Sequence, residues 1–246
     1  VEDRTHGCGL LGNMRTSLMS DWTKFSESVP WFLDRDAVVK VSASRNGWAL
    51  SPVATTLFPS LGKLLARASI TNVSVNGDPF TLFAWDSADG DRLGWLCLLP
   101  TINVPRNLNE DHRELLSSFG GIVERFNEPG DTWLLNLNDA LTEREALHDG
   151  SFIQNYIWAF DDVGLTLPIE PTEYYSIARE ANGNVTLCHR ISGKILMFAP
   201  DHNFEHLKEL DGCPGYTLYT VNGATAFRDW VNMIANQWLA HLRMSA

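Results

Sequence analysis

Apolar side chains near the end of the chain recur with the period of a helix. They follow one another at offsets of 3, 4, 7 and 11 residues from the first: Phe227, Trp230, Val231, Ile234 and Trp238. This spacing places all five on one helix face, so we predict a helix from about residue 225 that packs against the core.

Four further helix signals lie upstream. Residues 18–33 are amphipathic and are interrupted by Pro30, and Pro59 can open a helix that carries leucines on one face, at 61, 64 and 65. Asn109 is a predicted N-cap of a helix that Gly120-Gly121 ends. Thr142 and Glu145 have the spacing of a capping box.

Short apolar or alternating runs predict strands between these helices. Asn76-Gly77 and Asp89-Gly90 are hairpin-turn dipeptides that separate three of the runs. The predicted strands outside the central meander cover residues 38–41, 47–50, 70–75, 81–86, 92–99, 131–137 and 155–160.

The segment from 174 to 199 predicts a three-stranded meander with turns at Asn182-Gly183 and Ser192-Gly193. Two-residue loops would place residue 187 opposite residues 178 and 198. One face is then expected to carry Ala178, Val185, Leu187, Leu196 and Phe198, and the other Ile177, Cys188, Ile195 and Met197. Because both faces are apolar, we expect this sheet to be covered on both sides.

These elements predict an α+β fold, in which helices flank a central, mostly antiparallel sheet and an amphipathic helix ends the chain. Two prolines in residues 100–107 indicate a boundary. We therefore divide the chain into an N-terminal α+β region, 1–105, and a second α+β domain, 106–246. The first region is either a small separate domain or an extension of the sheet.

Charge separates the two parts. Residues 1–105 carry 9 Lys and Arg against 10 Asp and Glu, a net charge of −1, whereas residues 106–246 carry 10 against 20, a net charge of −10. Direct nucleic-acid binding is disfavoured, because phosphate contacts need clustered basic residues. The acidity either keeps the surface solvated or steers the chain toward a basic partner.

Cysteine spacing and hydropathy predict the compartment. The four cysteines are far apart and form no C-x-x-C pair, which indicates reduced thiols and a cytoplasmic protein. The sequence contains no run of about 18 apolar residues, so no membrane-spanning helix is predicted.

Sequence templates for catalysis and phosphate binding are missing, so no cofactor or metal is expected. Cys188 and His189 are adjacent on a strand and point to opposite faces, so they cannot form a dyad. His202 and His206 could share a helix face as metal ligands, but no third ligand is signalled. Asp161-Asp162, with nearby Glu170 and Glu173, could act as general acids only with a cleft and a partner group.

The order of landmarks over roughly residues 106–241 resembles the SUKH superfamily, which includes yeast regulators of cell-wall glucan synthesis and bacterial immunity proteins. The resemblance is carried by 112–122 with its Gly120-Gly121, by a Trp-containing strand, by 177–202 with Gly183-Asn184 and Gly193-Lys194-Ile195, and by 224–238 with Ala226-Phe227-Arg228-Asp229-Trp230.

The resemblance implies a non-enzymatic protein that binds and blocks a cognate toxin, often a nuclease. An acidic surface suits a basic toxin, and the acids near predicted loops are the expected contacts: Asp161, Asp162, Glu170, Glu173, Glu205 and Glu209. Two alternatives are a regulatory scaffold that binds host proteins, and a hydrolase that uses acid/base groups or a metal at His202 and His206.

Overall fold

Two five-stranded antiparallel sheets form the centre of the fold. The computed structural model describes residues 21–132, 139–201 and 205–243 of the 246-residue chain. Helices cover the sheets and the last element is a helix, so the predicted α+β class is confirmed. Among the described residues, no helix has both the length and the apolar character needed to cross a bilayer.

The first sheet follows chain order. Its strands are β1 (Val39–Asn46), β2 (Ser69–Val75), β3 (Asp78–Asp86), β4 (Arg92–Leu98) and β5 (Ile122–Phe126). The predicted Asn76-Gly77 hairpin is confirmed, with both residues at positive φ. The strand predicted at 47–50 is wrong, because Gly47 has a φ of +73° and its amide donates to the Ala68 carbonyl at 2.9 Å, which turns the chain away from β1.

Six α-helices lie in the described part of the chain. They are α1 (residues 21–28), α2 (Pro52–Leu57), α3 (Pro59–Ala66), α4 (Glu110–Leu116), α5 (Ile157–Asp161) and α6 (Phe227–Ala240). The predicted starts at Pro59 and Asn109 are confirmed, and the Asn109 side chain accepts from the Asp111 amide at 3.1 Å. All five residues of the predicted C-terminal stripe are fully buried on α6.

The second sheet has the order β6-β7-β8-β10-β9. Its strands are β6 (Tyr174–Arg179), β7 (Val185–His189), β8 (Ile195–Phe198), β9 (Leu207–Glu209) and β10 (Leu218–Val221). The predicted meander is present, but Leu187 lies opposite Ser176 and Leu196, so the predicted register is wrong. The loops are longer than two residues: the Glu180 amide donates to Asn184, and the His189 amide to Lys194.

A bulge in β6 changes one predicted face. Val185, Leu187 and Phe198 pack on the outer side of the second sheet, and Cys188, Ile195 and Met197 on the inner side, as predicted. Ala178 was expected on the outer side, yet it joins the inner core, because the pairing of β6 with β7 shifts between Ser176 and Ala178.

Two predictions in the middle of the chain fail locally. The strand predicted at 155–160 is instead the end of a 3₁₀ helix (Gly150–Tyr156) followed by α5. Thr142 accepts from the Glu145 amide, but the Glu145 carboxylate contacts Ser176 and Arg179, so only half of the capping box forms. The strand predicted at 131–137 falls mostly outside the described residues.

The segment 139–141 joins the two sheets. Ala140 forms antiparallel bridges with Ile122 of β5 and with Ala178 of β6, and it exchanges hydrogen bonds of 2.7 and 2.8 Å with Ile122. Because β5 pairs with β4, the first sheet extends beyond the boundary predicted at residue 105.

Glycines permit the close approach at this junction. Gly121 has a φ of +86°, and a Cβ there would lie 2.5 Å from the Leu141 carbonyl group. A Cβ on Gly120 would lie 2.2 Å from the Leu99 carbonyl oxygen. The prediction that Gly120-Gly121 ends the helix is wrong, because α4 ends at Leu116; the two glycines instead let three chain segments meet.

One inner core contains residues from both predicted regions. On α6, the Trp238 ring lies 5.0 Å from that of Trp95 and 5.8 Å from that of Trp85, and Phe227 lies 6.0 Å from Phe58. The last helix therefore covers the inner face of the first sheet. The outer faces have separate cores, beneath α1 on the first sheet and beneath α5 on the second.

Candidate functional site

Cys188 and His189 diverge from β7, as the sequence predicts. Cys188 is fully buried, and burial raises the pKa of its thiol to about 12, which keeps it protonated and unreactive. His189 accepts at Nδ1 from the amides of Ile191 and Ser192, and its Nε2 lies 3.3 Å from a carboxylate oxygen of Glu173. The pair has the geometry of a sheet and a turn, not of a catalytic dyad.

A second histidine is fixed deep in the inner core. His112 of α4 lies between the rings of Tyr175 and Phe227, at 5.7 and 4.7 Å. Its Nε2 is 3.1 Å from the Leu141 carbonyl, which can only accept, so Nε2 carries the proton. Nδ1 then accepts from the Tyr175 hydroxyl at 3.1 Å, and that oxygen accepts from the Asn109 amide. The cluster is a closed internal network that connects α4 to the sheet junction.

This network predicts a loss of stability in mild acid. Burial lowers the pKa of His112 to about 4, so between pH 6.5 and 4 only the unfolded chain binds this proton. The contribution is intact above pH 6.5, and about 3 kcal/mol is lost as the pH falls to 4. Urea unfolding at several pH values measures this slope.

His112→Gln provides the comparison, because glutamine does not titrate. We expect the variant to lose less stability than the wild type between pH 6.5 and 4, whatever its stability at neutral pH. Parallel curves for the two proteins would show that His112 does not cause the acid sensitivity.

Only one of the two histidines of the predicted metal site, His206, lies among the described residues. His202 lies outside the described residues, and His206 is exposed before β9. Within residues 21–132, 139–201 and 205–243, no three His, Cys, Asp or Glu side chains come together as metal ligands.

The outer face of the second sheet presents the most distinctive surface. It is covered by the 3₁₀ helix (Gly150–Tyr156) and by α5. The side chain of Asp149 caps the 3₁₀ helix by accepting a hydrogen bond from the Ser151 amide at 3.0 Å. Phe152 and Tyr156 pack edge-on against Phe198 at 5.3 and 4.7 Å. Phe160 of α5 is buried in the same outer core, so this segment is fixed to the sheet.

The chain reverses directly after α5 in a turn that exposes apolar side chains. Gly164 has a φ of +69°; its amide donates to Asp161 and the Leu165 amide donates to Phe160, the paired bonds that end helices. Trp158 is 61% exposed, Val163 58% and Leu165 37%. We call residues 157–165 the α5 turn.

All six predicted partner-binding acids are exposed, but their surroundings differ. Glu170 accepts from the Thr172 amide and hydroxyl, and Glu173 contacts His189, so these two already have partners within the chain. The side chains of the other four have no hydrogen-bond or ion-pair partner among the described residues: Asp161, Asp162, Glu205 and Glu209. They are the acids left to contact another molecule.

Two of these acids, Asp161 and Asp162, lie on the segment that covers the outer face. Both belong to the α5 turn, whereas Glu209 on the edge strand β9 lies opposite Tyr219, whose ring packs in the inner core. The segment after the α5 turn approaches the segment after β9: Leu167 and Leu210 share the outer core, and Pro168 lies beside Gly212. Asp161 and Asp162 are therefore the acids that the structure presents on this face.

Positive side chains are missing from the covering segment. Between Arg144 and Arg179 the sequence has no Lys or Arg, while it has six acids: Glu145, Asp149, Asp161, Asp162, Glu170 and Glu173. This run is visible in the sequence alone and marks the face. The exposed Trp158 could not be recognised there, because residues 155–160 have the composition of a buried strand.

Comparison with known proteins adds no relative: the chain matches no protein-family model, no curated protein and no solved structure. The resemblance to the SUKH superfamily therefore stays a prediction that rests on the landmarks given above.

Proposed function

We propose that this chain is a non-enzymatic binding protein that docks a basic protein partner on the outer face of its second sheet. One observation carries the proposal: Asp161 and Asp162 are exposed, without a side-chain partner among the described residues, on a covering segment that has no Lys or Arg. A surface of one sign attracts a partner of the opposite sign before contact, and it disfavours acidic partners and nucleic acid.

The partner that we propose is a toxin, and the chain its immunity protein. The resemblance to the SUKH superfamily supports this role, and a nuclease toxin would supply the basic surface, because nucleases grip phosphate with Lys and Arg. The chain would act by occupying the toxin's substrate-binding surface. We place this encounter in the cytoplasm, where the buried thiols Cys97, Cys188 and Cys213 are free.

Charge reversal on the α5 turn tests the proposal. The probe is the protein encoded beside the gene for this chain, with binding followed by surface plasmon resonance. The double variant Asp161→Lys, Asp162→Lys should associate about 10-fold more slowly or worse at low salt, because the steering field is weakened. Since salt screens such fields, the difference should shrink in about 0.5 M salt.

A matched control changes the same charge elsewhere. Asp34→Lys with Asp36→Lys alters two exposed acids in the N-terminal region and should leave the association rate within about 2-fold of the wild type. If the wild-type chain fails to bind the neighbouring gene product, or if both double variants slow association equally, the proposed function is wrong.

A further inference from the structure

We propose that the α5 turn is the anchor of the interface and inserts Trp158 into an apolar pocket with a basic rim on the partner. This inference rests on the proposed function and adds the chemistry of the surface that the partner must present. It separates two roles on one face: the acids accelerate the encounter, and the turn holds the complex together.

Exposure sets this turn apart from its surroundings. Trp158, Val163 and Leu165 are presented within eight residues, beside the exposed pair Asp161 and Asp162. Folding alone gives no reason to expose them, since Phe160 already fixes the segment to the outer core. Large aromatic side chains of this kind supply most of the binding energy in protein interfaces.

Backbone hydrogen bonds within the chain also close the turn without any partner. Two backbone hydrogen bonds, from Gly164 to Asp161 at 3.1 Å and from Leu165 to Phe160 at 2.9 Å, close it around the left-handed Gly164. The Trp158 carbonyl accepts from the Asp162 amide at 3.0 Å, which ties the exposed tryptophan to the acid pair. A preformed anchor loses little conformational entropy on binding, so more of its contact energy appears as affinity.

The flanking charges define the partner's surface. Asp161 and Asp162 are adjacent to the apolar side chains and have no partner among the described residues, so a docked surface must place Lys or Arg beside the pocket that receives Trp158. A second copy of this chain does not fit, because a symmetric contact between two α5 turns would bring four carboxylates together. A basic protein with an apolar cleft satisfies both requirements.

The experiment compares two equally exposed tryptophans. Trp158 is 61% exposed and Trp31 is 64% exposed, and Trp31 lies in the N-terminal region, where its indole donates to Glu124. Against the neighbouring gene product, Trp158→Ala should raise the dissociation rate about 30-fold or more, with the association rate within about 3-fold of the wild type. Trp31→Ala should change neither rate. Circular dichroism checks that both variants keep the wild-type fold.

Photo-crosslinking tests the chemistry of the pocket directly. With p-benzoylphenylalanine at position 158, we expect a crosslink to apolar residues of the probe that have Lys or Arg beside them, and none from position 31. If Trp158→Ala binds like the wild type while Asp161→Lys with Asp162→Lys slows association, the anchor is wrong and the proposed function stands. If the wild-type chain does not bind the probe, both proposals fall together.

Discussion

Gly121→Ala is expected to destabilise the fold by about 4 kcal/mol, because a left-handed backbone and a direct steric clash occur at the same residue. The added Cβ would lie 2.5 Å from the carbonyl carbon and oxygen of Leu141 and 2.6 Å from the Thr142 nitrogen. These are backbone atoms at the junction of the two sheets, so no side-chain movement relieves the clash. Urea unfolding followed by far-UV circular dichroism measures the loss.

Gly183→Ala is the matched control, since Gly183 has a φ of +93° and open space where its Cβ would be. It carries the backbone strain without the clash and should cost about 1 kcal/mol. Equal losses in the two variants would show that the approach of Gly121 to Leu141 contributes nothing to stability.

Trp238→Ala should cost about 4 kcal/mol, because it leaves a cavity where the last helix meets the first sheet. The Trp238 ring is fully buried against Trp85 and Trp95, so the space that it leaves is lined by rigid aromatic side chains that collapse poorly. The same urea measurement applies.

Trp238→Phe should be much milder, at about 1–2 kcal/mol, since a ring is kept and the indole N–H of Trp238 has no acceptor among the described residues. Trp158→Ala serves as the exposed control and should leave the unfolding midpoint unchanged. A loss for Trp238→Ala no larger than that for Trp158→Ala would contradict the role of α6 in closing the core.

Periodicity predicted the helices well where one face is buried. The stripe on α6 and the leucines of α3 are regular, and their burial follows from spacing alone. The register of the meander was harder to predict than its faces, because the faces depend on the alternation of side chains whereas the register depends on loop length. Loops closed by Glu180 with Asn184, and by His189 with Lys194, are longer than the two residues that Asn-Gly and Ser-Gly dipeptides favour.

In the segment 155–160, amino-acid composition predicts the wrong secondary structure. Tyr156, Ile157, Trp158 and Phe160 are typical of a buried strand, yet Asp149 begins a 3₁₀ helix and Gly164 ends α5. The acids of the α5 turn are exposed, as their charge predicts. Charge could not show that an exposed tryptophan lies among them, since exposure depends on which side of the helix Phe160 buries.

Because α6 covers the first sheet, the core of this sheet can be completed only late in synthesis of the chain. Residues 39–126 form that sheet, but Trp85 and Trp95 lack their contacts with Trp238 until residues 227–240 have left the ribosome, more than 100 residues later. The nascent chain therefore carries an exposed aromatic surface that a chaperone can hold. Native folding waits for translation of α6, because the inner core closes only after that helix is made.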